Sequence, residues 1–137
     1  MKQEDKELLL RDLCARLPYG VIIEHEGNLS MLDTIFMCDT ISISSTSMDK
    51  EIFYNLDLDE VKPYLFPLSS MTEEIMDEIY NNTGVYDIGI DSPVHIEVGT
   101  TFEDLTKIIN ILYKHHIDIN GLIPKGHAID CTNLNIY

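Results

Sequence analysis

The side chains best able to do chemistry gather late in the sequence: His115, His116, Asp118, His127, Asp130 and Cys131. This is the one cluster of metal-capable groups in the chain, and a zinc site needs several of them to converge on one point at defined spacing. Adjacent histidines on a helix point roughly 100° apart, which is poor geometry for joint chelation. Neither His-Glu-x-x-His nor a Cys-x-x-Cys pair occurs. The simpler reading sets His115 and His116 at a helix C-terminus, where positive charge is favoured. Cys131 has His127 and Asp130 nearby in sequence, but that does not put a base beside a nucleophile in space. No Gly-x-Ser-x-Gly elbow or cysteine-enzyme signature is present. No catalytic residue, metal or cofactor is therefore assigned. A small metal-dependent enzyme or binder using the His115–Cys131 region is the alternative functional reading.

Other motifs are weaker. Asp57-Leu58-Asp59-Glu60 begins like a calcium loop but places Lys62 where glycine is needed, and it lacks the closing glutamate. Gly121 and Gly126 frame a turn without the order of a phosphate cradle. Tyr64, Phe66, Tyr80 and Tyr113 could form a stacking surface, although their spacing fits core packing better. The candidate binding residues are Tyr64, Phe66, His115, His116 and His127.

Three helices must position these groups. Residues 4–17 place Leu9, Leu10, Leu13 and Leu17 on one face, with acids at the start, Arg16 near the end and Pro18-Tyr19-Gly20 as the stop. Residues 72–82 form the second helix, with Ile75, Met76, Ile79 and Tyr80 inward and Gly84 terminating it. Residues 102–115 form the third, capped by Thr101, with an inner stripe of Phe102, Leu105, Ile109 and Leu112 widened by Ile108 and Tyr113. Between the first two, Val21–Glu26 and Leu29–Cys38 read as strands around a Gly27-Asn28 turn. Ile41-Ser42-Ile43-Ser44 alternates as a strand, Ser44 to Lys50 reads as a polar loop, and Ile52-Phe53-Tyr54 as a short strand. Val85 to Pro93 reads as loop and Val94–Val98 as a half-buried strand.

The segment Val61–Glu74 is a rigid joint: Lys62 and Phe66 each precede a proline, and Ser70 stands three residues before Glu73 at capping-box spacing. It is expected to lay Tyr64 and Phe66 against the sheet and open the second helix. The apolar tail from His127 to Tyr137 is expected to dock. The fold class is α+β: a single domain over 1–137, with a small, mainly antiparallel sheet and about three helices.

Composition narrows the function. In 137 residues, 24 acids oppose 9 bases, a formal net charge of −15. That disfavours DNA or RNA binding and adsorption to anionic membranes. No apolar run is long enough to cross a bilayer, and the charged N-terminus does not resemble a signal peptide. Cys14, Cys38 and Cys131 are odd in number and far apart, which fits reduced, buried thiols and a cytoplasmic protein. The charge keeps the protein soluble; as a function, it suits a basic protein partner.

Three blocks carry a resemblance: Leu13-Cys14-Ala15-Arg16-Leu17-Pro18-Tyr19-Gly20-Val21, the Val61–Glu74 joint, and His115-His116 through Gly121-Leu122-Ile123-Pro124-Lys125-Gly126. In this order they resemble a family of small uncharacterised proteins encoded by gut Bacteroidetes-type bacteria and by their phages and prophages. Relatives often carry Trp before the histidine pair and an arginine where this chain has Asn120, so the block here keeps its turn without that charge. The resemblance transfers no activity. With the charge, it implies a non-enzymatic accessory factor of a phage or mobile element that binds a protein, in its most specific form an acidic inhibitor of a host defence or nucleic-acid enzyme.

Overall fold

A computed structural model describes residues 1–84 and 101–137. Helix α1 (Gln3–Arg16) buries Leu9 and Leu13 completely, while Leu10 and Leu17 pack at the margin of the same cluster. Each fully buried leucine contributes about 2 kcal/mol of transfer free energy. A 3-10 turn (Leu17–Tyr19) follows, with Pro18 where a missing N–H costs little. Gly20 at φ 70° then reverses the chain.

Strands β1 (Ile22–His25), β2 (Asn28–Met37), β3 (Ile41–Ser47) and β4 (Ile52–Leu56) form an antiparallel meander. With strands β5 (Lys62–Leu65) and β6 (Ile129–Asp130), the described residues form a six-stranded sheet of order β4-β3-β2-β1-β5-β6, in which, among the described strands, only β5 and β6 pair in parallel. The domain is thus α+β with a mainly antiparallel sheet, as expected. Two details differ from the sequence reading. The first hairpin turns at Glu26-Gly27, with φ of 47° and 80°, so that His25 faces Asn28; two positive φ values match the twist of the flanking strands. Ser44 to Ser47 is strand, not loop: Ser45 is fully buried, and its Oγ meets Ser30 Oγ at 2.8 Å across β2 and β3. Hydroxyls satisfied across a ladder can line a core face.

The inner face of the sheet packs under α1. Val21, Ile23, Leu32, Ile43, Leu56 and Leu65 join Leu9 and Leu13 there. Helices α2 (Glu73–Thr83) and α3 (Phe102–Lys114) build a second cluster from Ile75, Ile79, Ile108, Ile111, Leu112 and Ile117, with Phe66 and Met71 against it. The joint works as a strand followed by a 3-10 turn (Leu68–Ser70). Tyr64 lies within the sheet itself, and Phe66 turns to the helices instead. Ser70 belongs to that turn, so it is not the cap. Thr72 caps α2 by accepting from Ile75 N–H at 3.3 Å. The capping box forms elsewhere, between Asp57 and Glu60, where the calcium-like acids start a 3-10 turn.

Thr101 caps α3 and Gly84 ends α2 in the left-handed region, as expected. Phe102 and Tyr80 leave the expected inner stripes: Phe102 is 84% exposed on the first turn of α3, and Tyr80 is also exposed. The loop and strand expected over 85–98 lie outside the described residues.

The tail docks. Cys131 N–H donates to Leu65 O, and Tyr137 reaches back to the sheet. β1 and β5 pair at Ile23–Pro63 and Glu24–Lys62, so the next rung would join Ile22 to Tyr64. The Tyr137 hydroxyl supplies that rung, accepting from Ile22 N–H at 3.0 Å and donating to Tyr64 O at 2.8 Å. Tyr137→Phe leaves both backbone groups without their partner, and we expect a loss of about 1–3 kcal/mol in urea unfolding with faster exchange of the Ile22 amide.

Candidate functional site

The late cluster of chemical side chains is dispersed by the fold. α3 ends at Lys114, with His115 as its C-cap. His115 Nε2 lies 2.5 Å from Glu78 Oε2, and Lys114 Nζ lies 2.6 Å from Glu78 Oε1, tying α3 to α2. Hydrogen bonds from Lys114 and then His115 hold the Glu78 carboxyl below its ordinary value. His127 instead meets Asp5 at the start of α1, 3.3 Å away, beside the Lys125–Asp5 pair. Cys131 is buried beside β5, and desolvation, then Asp130, pushes its thiol up to about 11. A thiol so protonated is a poor nucleophile near neutrality. Among the described residues, no three His, Cys, Asp or Glu side chains converge on a point that could hold a metal ion.

His116 is buried at a positive φ of 59°, its ring stacked 3.8 Å from that of Tyr137 at 11°. Its carbonyl accepts from Phe66 N–H, and Asp118 N–H donates to Phe66 O. Asp118 in turn accepts from Leu122 and Ile123 N–H at 2.9 Å, fixing the following turn. Of the candidate binding residues, Tyr64 and His116 are buried, Phe66 and His115 line a shallow hollow between β5 and α2, and His127 lies apart from them.

Sequence reasoning placed Arg16 only by its favourable position near a helix end. It is fully buried. Its Nε and Nη2 bind both Asp12 oxygens at 2.7 and 2.9 Å, and Nη2 also donates to Ile117 O at 2.7 Å. Asn120 adds a bond to Asp12 Oδ1 at 2.8 Å, and the guanidinium stands 4.8 Å from the Tyr113 ring centroid. The only signal for this in sequence was the Asp12/Arg16 spacing of one helical turn.

The second feature that sequence missed is the outer face of the meander. Register puts Ile22, Met31, Thr46 and Ile52 side by side, opposite the face under α1. Tyr54 stands two residues beyond Ile52, and Phe36 lies farther along β2. Tyr54 is 67% exposed and Met48 89% exposed. Leu29, Met31, Met48, Leu134 and Ile136 line an apolar groove of about 300 Å³. Acids lie on and at the ends of this face: Asp33 accepts from the Thr46 hydroxyl, Glu26, Asp49 and Glu51 are exposed at the hairpin ends nearer the groove, and Asp39 is exposed at the opposite end. Cys38 is also exposed there, contrary to its expected place in the core.

The fold and this surface define an α+β domain whose meander, among the described residues, packs one face under α1 and exposes apolar side chains on the other. No family model, curated protein or solved structure matches the chain. No helix among the described residues is long and apolar enough to cross a membrane.

Two expectations test the buried network. Asp12→Ala strands the Arg16 charge and should cost about 3–5 kcal/mol, whereas Asp12→Leu with Arg16→Met should cost clearly less, both by chemical denaturation. His116 is held down to about 4 by desolvation, then by Arg16 and His115, against an ordinary value of 6.5. Between those values the unfolded chain binds the extra proton. Stability should therefore fall, on the order of 2 kcal/mol, as pH drops from 6.5 to 4, and His116→Phe should flatten that slope in unfolding curves taken across the window.

Proposed function

We propose that this protein is a non-enzymatic interaction factor that docks a basic protein partner on the outer face of its meander. The observation that supports the reading is an apolar, methionine-containing strip with acidic hairpin ends, on a chain of net charge −15. An apolar centre supplies affinity once water is excluded, and a charged rim steers a partner of opposite sign. Methionine adapts its shape, so Met31 and Met48 suit a surface that must mould to another protein. The resemblance to proteins of gut bacteria and their phages adds the setting: a cytoplasmic accessory factor of a phage or mobile element. Its most specific form is an inhibitor of a host defence or nucleic-acid enzyme, whose phosphate-binding surface would supply the basic partner.

The test is capture of basic proteins by tagged chain at low and high salt, compared with the Met31→Ser/Tyr54→Ser variant. Both positions are exposed, so the variant should melt close to the parent. We expect binding to weaken as salt rises and to fall about tenfold or more in the variant. Capture that ignores both salt and the substitutions would overturn the reading.

A further inference from the structure

The geometry points to the free edge of β4 as a strand-addition site for an extended, basic segment of the partner, an inference that rests on the proposed docking role. β4 is an end strand, and among the described residues no strand covers its other side. The direction of its backbone groups follows from the ladder. Ser47 N–H donates to Glu51 O at 2.8 Å, and pairing then runs Thr46–Ile52 and Ser45–Phe53. Antiparallel ladders alternate bonded and non-bonded pairs. Glu51 and Phe53 therefore direct their backbone toward β3, and Ile52 and Tyr54 direct theirs to the open side. An added strand would meet two N–H and two C=O groups beside the Ile52 and Tyr54 side chains.

Proteins commonly guard such an edge with lysine, proline or a bulge. Here the strand interior has neither lysine nor proline, and the bulge at Asn55, φ 56°, confines the free run to Ile52–Tyr54. What flanks it is negative charge: Asp49 and Glu51 before the strand and Asp57, Asp59 and Glu60 after it, against Lys50 and against Lys6, which pairs with Asp59 at 3.0 Å and leaves the other four acids unmatched by more than one lysine. Two copies meeting at this edge would bring those acids together. A cationic strand would neutralise them while its backbone completes the sheet, the arrangement of β-strand addition with charge as the selector.

The probe is a short acetylated peptide of alternating lysine and valine, compared with its fully N-methylated counterpart, which keeps every charge and loses every backbone donor. At physiological salt we expect the first to bind at least tenfold more tightly and to slow amide exchange at Ile52 and Tyr54. Ile52→Pro removes an outward donor and should abolish that preference; Tyr54→Pro serves if the first variant melts early. Equal binding by both peptides without protection at those amides would overturn strand addition and leave the docking face standing. Protection of the same amides by self-association, without peptide, would overturn the choice of occupant. Salt-sensitive partner capture that survives Met31→Ser/Tyr54→Ser sinks the docking face itself, separately from the peptide result.

Discussion

A cation with no access to water organises this fold. Burying Arg16 would be prohibitive if both Asp12 oxygens did not bind its Nε and Nη2 edge, and even then the pair needs further partners. Ile117 O and Asn120 provide them, and both come from the chain that leaves α3. The first cluster, under the sheet, and the second, between α2 and α3, thus meet at one polar point. Apolar contact is tolerant of sliding; a two-pronged ion pair with a carbonyl on its rim is not. The network sets how α1 sits against the turn that carries His116 and Asp118.

That arrangement divides the sheet's surfaces. α1 consumes the inner face, and on the outer one Leu134 and Ile136 of the C-terminal segment share a groove with Ile22, Leu29, Met31 and Met48. The β2–β4 half of the outer face is left with Met31, Phe36, Ile52 and Tyr54 in water. Scattered exposed apolar side chains need no explanation, but several aligned by strand register on one face do. The acids spread along the sequence acquire a position only through this register, since the hairpins deliver Glu26, Asp39, Asp49 and Glu51 to the ends of the same strands.

The helices were legible because their evidence is local. Ile75, Ile79, Ile108 and Leu112 repeat at helical spacing, and Thr101 and Gly84 mark ends by chemistry confined to a few residues. Ser44–Ser47 was not legible, because a serine-rich strand is made by the neighbours on both sides rather than by its own hydropathy. Thr72 rather than Ser70 capped α2 because the 3-10 turn absorbed Ser70 first. Phe102 occupies the first turn of α3, ahead of the described contacts that bury the later turns, so its place in the periodic stripe did not bury it. Sequence found the titratable residues of the late cluster but not their partners: His127 pairs with Asp5, more than a hundred positions away, and no spacing rule reaches that far. Of the Arg16 network only the Asp12 spacing was local; Ile117, Asn120 and the strands that align the outer sheet face are brought together by the fold.

The rung made by Tyr137 has a consequence for the order of assembly. The β1–β4 meander closes by short hairpins, whereas Ile22 and Tyr137 are separated by 115 positions. Closing so long a loop is entropically costly, and local contacts can form well before it. Rapid collapse of the meander onto α1 would therefore precede a slower step in which α2, α3 and the terminal segment lock β5 and β6 into place. During that interval the β1 edge would be open as well as the β4 edge, and the mutual repulsion of so acidic a chain would be what keeps half-formed molecules apart.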